Sequence, residues 1–213
     1  MSSRATRNLF TLKLIRKLSD FPKSLFGGAL TIGNFDGVHR GHAHIMQELK
    51  RHADELDAPA IVFTFDPHPV RLLRPEQTPP PLTWTNRKAD LLADLGVDAV
   101  VAYPTDEKLL SLSSREFFDQ IIIESIGAKA MVEGPNFFFG RGREGTVESL
   151  AEFCQQADVK LSIVEPLKTD TQFISSSRIR DLIRDGKVAD AAAMLTAPYR
   201  IRGMVTHLSL IHI

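Results

Sequence analysis

Two histidines, His39 and His42, flank Gly41 in a turn-rich segment that extends from residue 33 to residue 42. A short apolar run precedes the segment and apolar residues at helical spacing follow it, so we predict that a helix begins near Gly41. A helix N-terminus offers free amide donors to an anion, and a glycine there lets a ligand approach the backbone closely. Two imidazoles at the same place add donors for phosphate oxygens. The pattern therefore indicates a polyphosphate site, with two alternatives: surface histidines at a helix cap, or a zinc site.

Two further segments carry polar groups suited to such a site. Asp66 and His68 lie in the proline-rich run 66–69, where the aspartate either caps its turn or binds a ligand. Ser176 and Ser177 precede a short apolar helix, where serine hydroxyls either cap the helix or bind phosphate.

A third segment, residues 134–145, is rich in glycine, phenylalanine and arginine. Its three consecutive phenylalanines either belong to the core or stack on a flat ring, and alternation puts Phe138 opposite to its two neighbours. Residues 140–145 fit the G-x-G-x-x-G pattern of dinucleotide-binding folds. Six residues separate that pattern from the end of the preceding predicted strand, so the tight turn of an NAD site is missing. We interpret the run as a flexible basic loop.

The elements that must position these groups alternate along the chain. Apolar runs without polar alternation predict buried strands at residues 29–32, 60–65, 97–103, 128–133 and 160–164. Helical spacing and capping residues predict helices at residues 41–56, 86–95, 114–126, 146–157, 175–184 and 187–195. This alternation predicts an α/β fold with a Rossmann-like, doubly wound parallel sheet of about five strands. Because ligand-binding loops leave the carboxyl ends of such strands, the loops at 33–42, 66–69, 134–145 and 165–177 should converge.

Composition limits the classes of function. The 213 residues, 43% hydrophobic and 24% charged, are typical of a globular chain long enough for one large domain. The single cysteine, Cys154, excludes an intrachain disulfide and a cysteine-only zinc site, and we expect no metal held by protein ligands alone. No apolar run is long enough to cross a membrane and no secretory signal follows the first residues. These features predict a cytoplasmic protein with no membrane partner.

The net charge of zero conceals an uneven distribution. Residues 1–50 contain eight basic and three acidic side chains, residues 51–167 contain eleven and nineteen, and residues 168–213 contain seven and four. A binder of long nucleic acid usually presents a net basic face, whereas a small anion needs only a local basic pocket. We therefore expect small-molecule partners and no nucleic acid, and the composition predicts no particular oligomeric state.

The motifs together resemble a known family. Residues 39–42 resemble the HxGH signature of the nucleotidyltransferase superfamily, and the whole stretch 33–42 resembles the FAD synthetase module of bacterial bifunctional riboflavin kinase/FMN adenylyltransferases. Residues 65–69 are similar to the second motif of that family and residues 133–140 to its flavin-site loop. Residues 174–180 are similar to its ISSTxIR motif, with Ser177 in place of the usual threonine. The resemblance covers roughly residues 10–207.

The resemblance implies an HxGH nucleotidyltransferase that transfers AMP from ATP to FMN and releases FAD and pyrophosphate in FAD biosynthesis. FMN would be the substrate and FAD the product, and Mg²⁺ would accompany the phosphates of ATP. The site residues that it implies fall into three groups: catalytic His39, His42 and Arg180; nucleotide-binding Gly33, Asn34, Phe35, Asp36, Gly41, Ser176 and Ser177; and flavin-binding Asp66, His68, Asn136 and Phe138.

The resemblance also implies a division of the chain. Residues 1–186 would form the FMN adenylyltransferase domain, residues 187–198 a linker helix, and residues 199–213 the truncated start of a riboflavin kinase domain with an atypical tail. A strand predicted at residues 199–206 would open that second domain, and riboflavin kinase activity is not expected from this fragment. Two alternatives stay open: a nucleotidyltransferase for another phosphate substrate, or an inactive fragment that binds flavin or nucleotide.

Overall fold

A computed structural model describes residues 12–168 and 173–204 of the chain. Its centre is one parallel sheet built from the strands β1 Lys13–Ile15, β2 Ala29–Ile32, β3 Ala60–Phe65, β4 Ala99–Tyr103, β5 Ala130–Glu133 and β6 Lys160–Ile163. Their order across the sheet is β1-β4-β3-β2-β5-β6, with parallel pairing throughout. The chain builds outward from β2 in both directions, so a crevice forms beyond the carboxyl ends of β2 and β5.

Helices cover both faces of this sheet. They are α1 Arg40–Glu55, α2 Val70–Leu73, α3 Thr85–Asp94, α4 Glu107–Ser111, α5 Ser114–Phe117, α6 Val147–Gln156, α7 Ser176–Arg184 and α8 Val188–Met194. Short 3-10 turns lie at Leu18–Asp20, Lys23–Leu25, Pro75–Gln77 and Arg141–Arg143. The predicted doubly wound parallel sheet is confirmed, with β1 as a sixth strand that the prediction lacked. Helices α2 and α4 were also not predicted.

The strand side chains divide into two apolar layers. Leu30 of β2 and Met131 of β5 pack in the layer that includes α6, whereas Ala29 and Val132 pack in the layer formed with α1 and α3. All four residues of both β2 and β5 are buried, as expected for central strands of a sheet covered on both faces. Successive residues of one strand therefore face different sides of the crevice.

The helix predicted at residues 114–126 is present, but most of it is π-helical. Ser113 and Glu116 form a capping box at the start of α5, and a π-helical segment, Phe118–Ile126, continues it. The segment ends at Gly127, whose φ of 68° lies in the left-handed region. A Cβ at this position would also lie 2.7 Å from the ring of Phe26, so both backbone and packing favour glycine here.

Helices α7 and α8 pack against each other through a small apolar cluster of their own. It comprises Leu82, Ile174, Ile179, Leu182, Ala191, Met194 and Leu195. The cluster ties the C-terminal helices to the proline-rich segment that precedes α3. Residues 199–204 contain no helix or strand, so the predicted strand is absent from the described part of residues 199–206, and residues 205–206 lie outside it.

Within the part of the chain that the structure describes, no helix combines the length and the apolar character needed to cross a membrane.

The packing of the π-helical segment on the sheet can be tested with Ile122→Ala. The Ile122 side chain is fully buried, so its truncation should lower the free energy of unfolding by about 2–5 kcal/mol through lost burial and the cavity left behind. Denaturant unfolding measures this change. Glu124→Ala is the matched control, because Glu124 is exposed on the same segment and its loss should cost less than about 0.5 kcal/mol. Equal losses for the two variants would contradict the packing described here.

Candidate functional site

A cavity of about 650 Å³ lies at the carboxyl edge of the sheet. Each of the four loops that were predicted to converge contributes to its wall, through residues such as Gly33, His68, Asn136 and Leu167. The predicted convergence is therefore confirmed. The cavity has two chemically different halves. The segment after β2 supplies the histidines, and the segment after β5 supplies aromatic rings.

The loop between β2 and α1, which ends at His39, is conformationally strained. Phe35 and Val38 have positive φ angles of 45° and 42°, a backbone region that residues other than glycine rarely adopt. Each such residue costs on the order of 1–3 kcal/mol and persists only when its surroundings fix it. Here Thr64 and Lys88 both donate to the Asn34 carbonyl, and Gly37 N donates to Thr83 Oγ1 at 3.1 Å.

His39 and His42 hold each other in place at the start of α1. His39 is the N-cap residue, and its Nδ1 accepts from the His42 amide at 3.3 Å, while His42 Nδ1 accepts from the His39 amide at 3.3 Å. Their rings stack with centroids 3.5 Å apart. Because each Nδ1 accepts, each neutral ring carries its proton on Nε2. The pair therefore retains two Nε2–H donors.

Burial keeps both rings neutral. It lowers the pKa of His39 to about 4, and the nearby Asp36 carboxylate opposes only part of this shift. The pKa of His42 lies well below its ordinary value, first because of burial and then because of His39 and the Lys88 cation. At neutral pH both imidazoles can thus donate hydrogen bonds from Nε2 without carrying charge.

Gly41 leaves the room that the His39 ring needs. A Cβ at Gly41 would lie 3.1 Å from Nδ1 of His39 and 3.6 Å from the carbonyl oxygen of Ile174. The second distance also shows that the chain entering α7 runs against the first turn of α1. The N-termini of the two helices therefore lie close together beside the cavity, and both carry positive dipole ends.

Asp36 connects the histidine loop to two other segments. Its carboxylate accepts from the Leu82 and Thr83 amides at 2.9–3.1 Å and from the Thr83 hydroxyl at 3.0 Å. It also pairs with Arg180 of α7, while Ser176 Oγ donates to the Asp36 carbonyl at 2.8 Å. Three of the predicted site residues thus form one bonded group, although none of them lines the cavity wall itself.

Ser177 and the 66–69 loop lie outside the bonded group around Asp36. Ser177 is exposed in the first turn of α7, whose N-cap is Ser175. His68 lines the cavity, and its Nδ1 accepts from the Val70 amide at 3.1 Å. Asp66 does not line the cavity: it accepts from Thr85 Oγ1 at 2.5 Å and pairs with Arg16 at 3.4 Å.

Aromatic rings form the other half of the cavity. Phe137 and Phe139 stack on each other at 5.4 Å, and Phe139 packs against Phe117 in the core. Phe138 is 43% exposed and lies under the Arg143 guanidinium at 4.7 Å. The predicted opposite orientation of Phe138 is confirmed. Asn136, exposed and next to these rings, also lines the cavity.

Sequence reasoning missed two buried ionisable residues at this site. Lys88 of α3 is 8% exposed and donates to the Asn34 carbonyl at 2.5 Å and to Thr64 Oγ1 at 3.2 Å. Burial lowers the pKa of this lysine. Glu133 ends β5 and lines the cavity. The available signals were a lysine on the apolar stripe of a helix and an acid at the end of a buried strand.

Among residues 12–168 and 173–204, no group of three or more histidine, cysteine, aspartate or glutamate side chains is placed to hold a metal ion.

The neutral state of His39 can be measured by NMR titration of its ring. The nitrogen shifts should report the Nε2–H form, with a midpoint at about pH 4, because protonation must overcome burial. In denatured protein the same ring should titrate near about pH 6.5. Since the folded pKa is the lower one, the unfolded state binds more protons between the two pKa values. This histidine therefore destabilises the fold as the pH falls from about 6.5 to about 4, and the stability is restored above about pH 6.5. A folded-state midpoint near 6.5 would refute the buried, reciprocal geometry.

The bond between Arg180 and Asp36 should contribute to the fold itself. Arg180→Ala leaves a carboxylate whose side chain is only 11% exposed without its cation, so we expect a loss of about 2–4 kcal/mol in unfolding free energy. Arg184→Ala is the control, because Arg184 is 73% exposed on the same helix and should cost less than about 0.5 kcal/mol. Denaturant unfolding compares the two, and a loss no larger than that of the control would contradict a fastening role.

Known proteins match most of the chain. The sequence profile of the FAD synthetase family matches residues 22–178. A bifunctional riboflavin kinase/FMN adenylyltransferase from Escherichia coli K12 is 33% identical over 199 residues, covering 92% of this chain and 63% of its own length. Relatives of the same description from Pseudomonas fluorescens and Haemophilus influenzae are 33% and 32% identical and are covered to 63% and 64%. The chain thus spans somewhat less than two thirds of the length of these relatives.

A solved structure agrees with the fold. A protein from Streptococcus pneumoniae, described as a macrolide-efflux protein, superposes with a TM-score of 0.78 at 28% identity, covering 91% of this chain and 62% of that one. The family profile spans β2 to the first turn of α7, which includes the histidine pair, the aromatic wall and the two serines. This chain belongs to the FAD synthetase family.

Proposed function

We propose that this chain transfers the adenylyl group of ATP to the phosphate of FMN, giving FAD and pyrophosphate. The observation that carries the proposal is the union of two features in one cavity: a neutral histidine pair at a helix N-terminus and a wall of phenylalanine rings. The first suits a polyphosphate and the second a flat, largely apolar ring. Membership of the FAD synthetase family supports this choice of substrates.

In the proposed reaction, an oxygen of the FMN phosphate attacks the α-phosphorus of ATP. A bond forms between that oxygen and the α-phosphorus, and the bond from the α-phosphorus to the bridging oxygen of pyrophosphate breaks. No protein nucleophile is required, so the protein contributes mainly position and charge stabilisation. The Nε2–H groups of His39 and His42 would donate to oxygens of the α-phosphate, where negative charge accumulates in the transition state.

We assign the leaving pyrophosphate to the N-terminus of α7. Ser177 is exposed there and Ser176 is held by the Asp36 carbonyl. Arg180 pairs with Asp36 through Nη2 and donates from Nε to the Pro80 carbonyl at 2.8 Å. In this assignment its remaining Nη1 group faces the phosphates, and the bond to Asp36 fixes the direction of the guanidinium. The nucleotide would lie along the segment between β2 and the first turn of α1, in a pocket lined by Gly33, Asn34, Phe35 and Gly41.

We assign the flavin to the aromatic half of the cavity. Phe138 and Asn136 would contact its ring from the 134–145 loop, and His68 from the opposite wall. Asp66 would act from behind that wall, by holding its loop to Thr85 of α3. Arg143 stacks on Phe138, and in this assignment their loop would cover the flavin ring.

Mg²⁺ would enter with ATP. Its chemistry here is to neutralise phosphate charge, and the phosphates themselves supply much of its coordination. That source of ligands fits a site whose described residues offer donors to the phosphates and no cluster of three metal-ligating side chains.

We propose that the domain extends over residues 1–186 and that residues 187–198 serve as a linker helix that stays in contact with the site. Thr196 Oγ1 donates to the Val38 carbonyl at 2.6 Å, and Arg40 donates to the Ala193 carbonyl at 3.5 Å. The position of α8 is therefore coupled to the loop that carries the histidines.

Incubation of the purified chain with FMN, ATP and Mg²⁺, followed by chromatography, tests the reaction. The wild-type chain should form FAD, and His42→Ala should form it about 100- to 1000-fold more slowly, because one transition-state donor is lost. His44→Ala is the control, since His44 lies on the same helix but does not line the cavity.

The possible outcomes of this assay differ in what they exclude. Absence of FAD with a folded wild-type chain would overturn the proposed reaction, and a panel of other phosphate acceptors would then identify a different substrate. Binding of FMN and ATP without turnover would identify a binding protein. An unchanged rate for His42→Ala would refute the role of the histidine pair and leave the reaction standing.

A further inference from the structure

The last residue of β5, Glu133, occupies a position that the proposed reaction does not use. Its side chain is 3% exposed, yet it lines the cavity. One carboxyl oxygen, Oε1, accepts from the Ile32 amide at 2.7 Å. The described residues supply no hydrogen bond to the second oxygen and no cation that pairs with the carboxyl group. A buried acid with one free oxygen at a cavity wall is costly unless a ligand, a water molecule or a proton satisfies it.

Strand alternation shows which half of the cavity this carboxyl group belongs to. Val132 packs in the layer of α1, which carries the histidines, whereas Met131 packs in the layer of the π-helical segment and α6. Glu133 shares the orientation of Met131. It interacts electrostatically with Cys154 of α6, a member of the same layer as Phe117 and Phe139. The carboxyl group thus lies with the aromatic rings rather than with the histidines.

The surroundings favour the protonated form of Glu133. Burial raises its pKa well above the ordinary value, and the Ile32 amide opposes only part of that shift. The titratable and charged groups around it are the Cys154 thiol on α6 and, elsewhere along the cavity wall, the residues His39, His42, His68, Arg143 and Glu165. Arg143 stacks on the exposed Phe138 at the outer loop, so none of these groups supplies a bonded counter-charge. A protonated carboxyl group both donates and accepts a hydrogen bond.

We propose that Glu133 is a specificity-determining residue that binds the polar edge of the flavin ring as a neutral carboxylic acid. That edge presents an imide, two carbonyl oxygens on either side of an N–H group. The free oxygen of Glu133 would donate its O–H to one carbonyl oxygen, and Oε1, which accepts from the Ile32 amide, would accept from the N–H group with its second lone pair. An ionised carboxylate at the same place would face carbonyl oxygens without a proton between them. The inference rests on the proposed function, because it takes the aromatic half of the cavity as the flavin site.

FMN affinity without turnover provides the first test, measured by quenching of flavin fluorescence. Glu133→Gln keeps the acceptor for Ile32 and a donor for the ring, so its affinity should stay within about threefold of that of the wild type with Glu133 protonated. Glu133→Val removes both and should weaken binding by about 10- to 100-fold, with ATP affinity unchanged. Glu152→Gln is the matched control, because Glu152 is an exposed acid on α6.

The pH dependence separates recognition from a merely structural role. Wild-type affinity for FMN should fall as the pH rises and Glu133 ionises, since the neutral form of a buried acid is lost as the pH rises through its raised pKa. Glu133→Gln cannot ionise, so its affinity should lack this fall. If both proteins show the same profile, or if Glu133→Val binds FMN as tightly as wild type, the inference is wrong.

A flavin methylated at the imide nitrogen completes the design, because it lacks the N–H group but keeps the ring and the phosphate. Wild type should bind it more weakly than FMN, whereas Glu133→Val should bind the two alike. Equal discrimination by both proteins would overturn the inference. A wild-type chain that converts FMN to FAD while Glu133→Val binds normally would refute only the role of Glu133. A folded wild-type chain that binds no FMN would instead refute the proposed function.

Discussion

A single buried carboxylate, that of Asp36, fixes the arrangement on which the site depends. Three residues before the first histidine, it gathers two amides, one hydroxyl and one guanidinium from the 80–83 segment and α7. The loop that contains it includes two non-glycine residues with positive φ, whose strain is on the order of 1–3 kcal/mol each. Four polar partners on one carboxylate offset a cost of that size. These bonds act together with the reciprocal cap between His39 and His42, which holds His39 at the N-cap of α1.

The histidine pair shows how geometry and protonation depend on each other. Two charged rings 3.5 Å apart would repel by about 5 kcal/mol at an effective dielectric constant of about 20, so double protonation is strongly disfavoured. Lys88 adds a third positive charge that lowers the pKa of His42. The positive charge at this edge of the sheet therefore comes from Lys88, Arg180 and the two helix N-termini. The neutral imidazoles supply hydrogen-bond donors with a fixed direction. Neutral donors bind a phosphate in a fixed orientation without requiring a proton from solvent.

The sequence was sufficient for features that depend on local pattern and failed for those that depend on tertiary contact. Helical spacing and Gly41 predicted that His39 and His42 stand at a helix start, and buried apolar runs predicted the central strands. Strand β1 has three residues, Lys13–Ile15, and is defined by its pairing with β4, so no periodicity could reveal it. The bond between Asp36 and Arg180 spans 144 positions and has no local signal. Lys88 and Glu133 departed from the apolar pattern around them, but only the fold shows what they face.

The two halves of the cavity follow from the sheet rather than from separate binding modules. Val132 and Glu133 are adjacent in the chain, yet alternation sends one to the layer of the histidine helix and the other to the layer of the aromatic rings. A ligand that joins a flat ring to phosphate must therefore cross the carboxyl edge of the sheet. The same geometry would let a chain with no net charge bind a polyanion, as the proposed function requires. Its basic first segment carries α1 and its basic last segment carries α7, and Asp36 and Arg180 bring the two helix N-termini to the same edge.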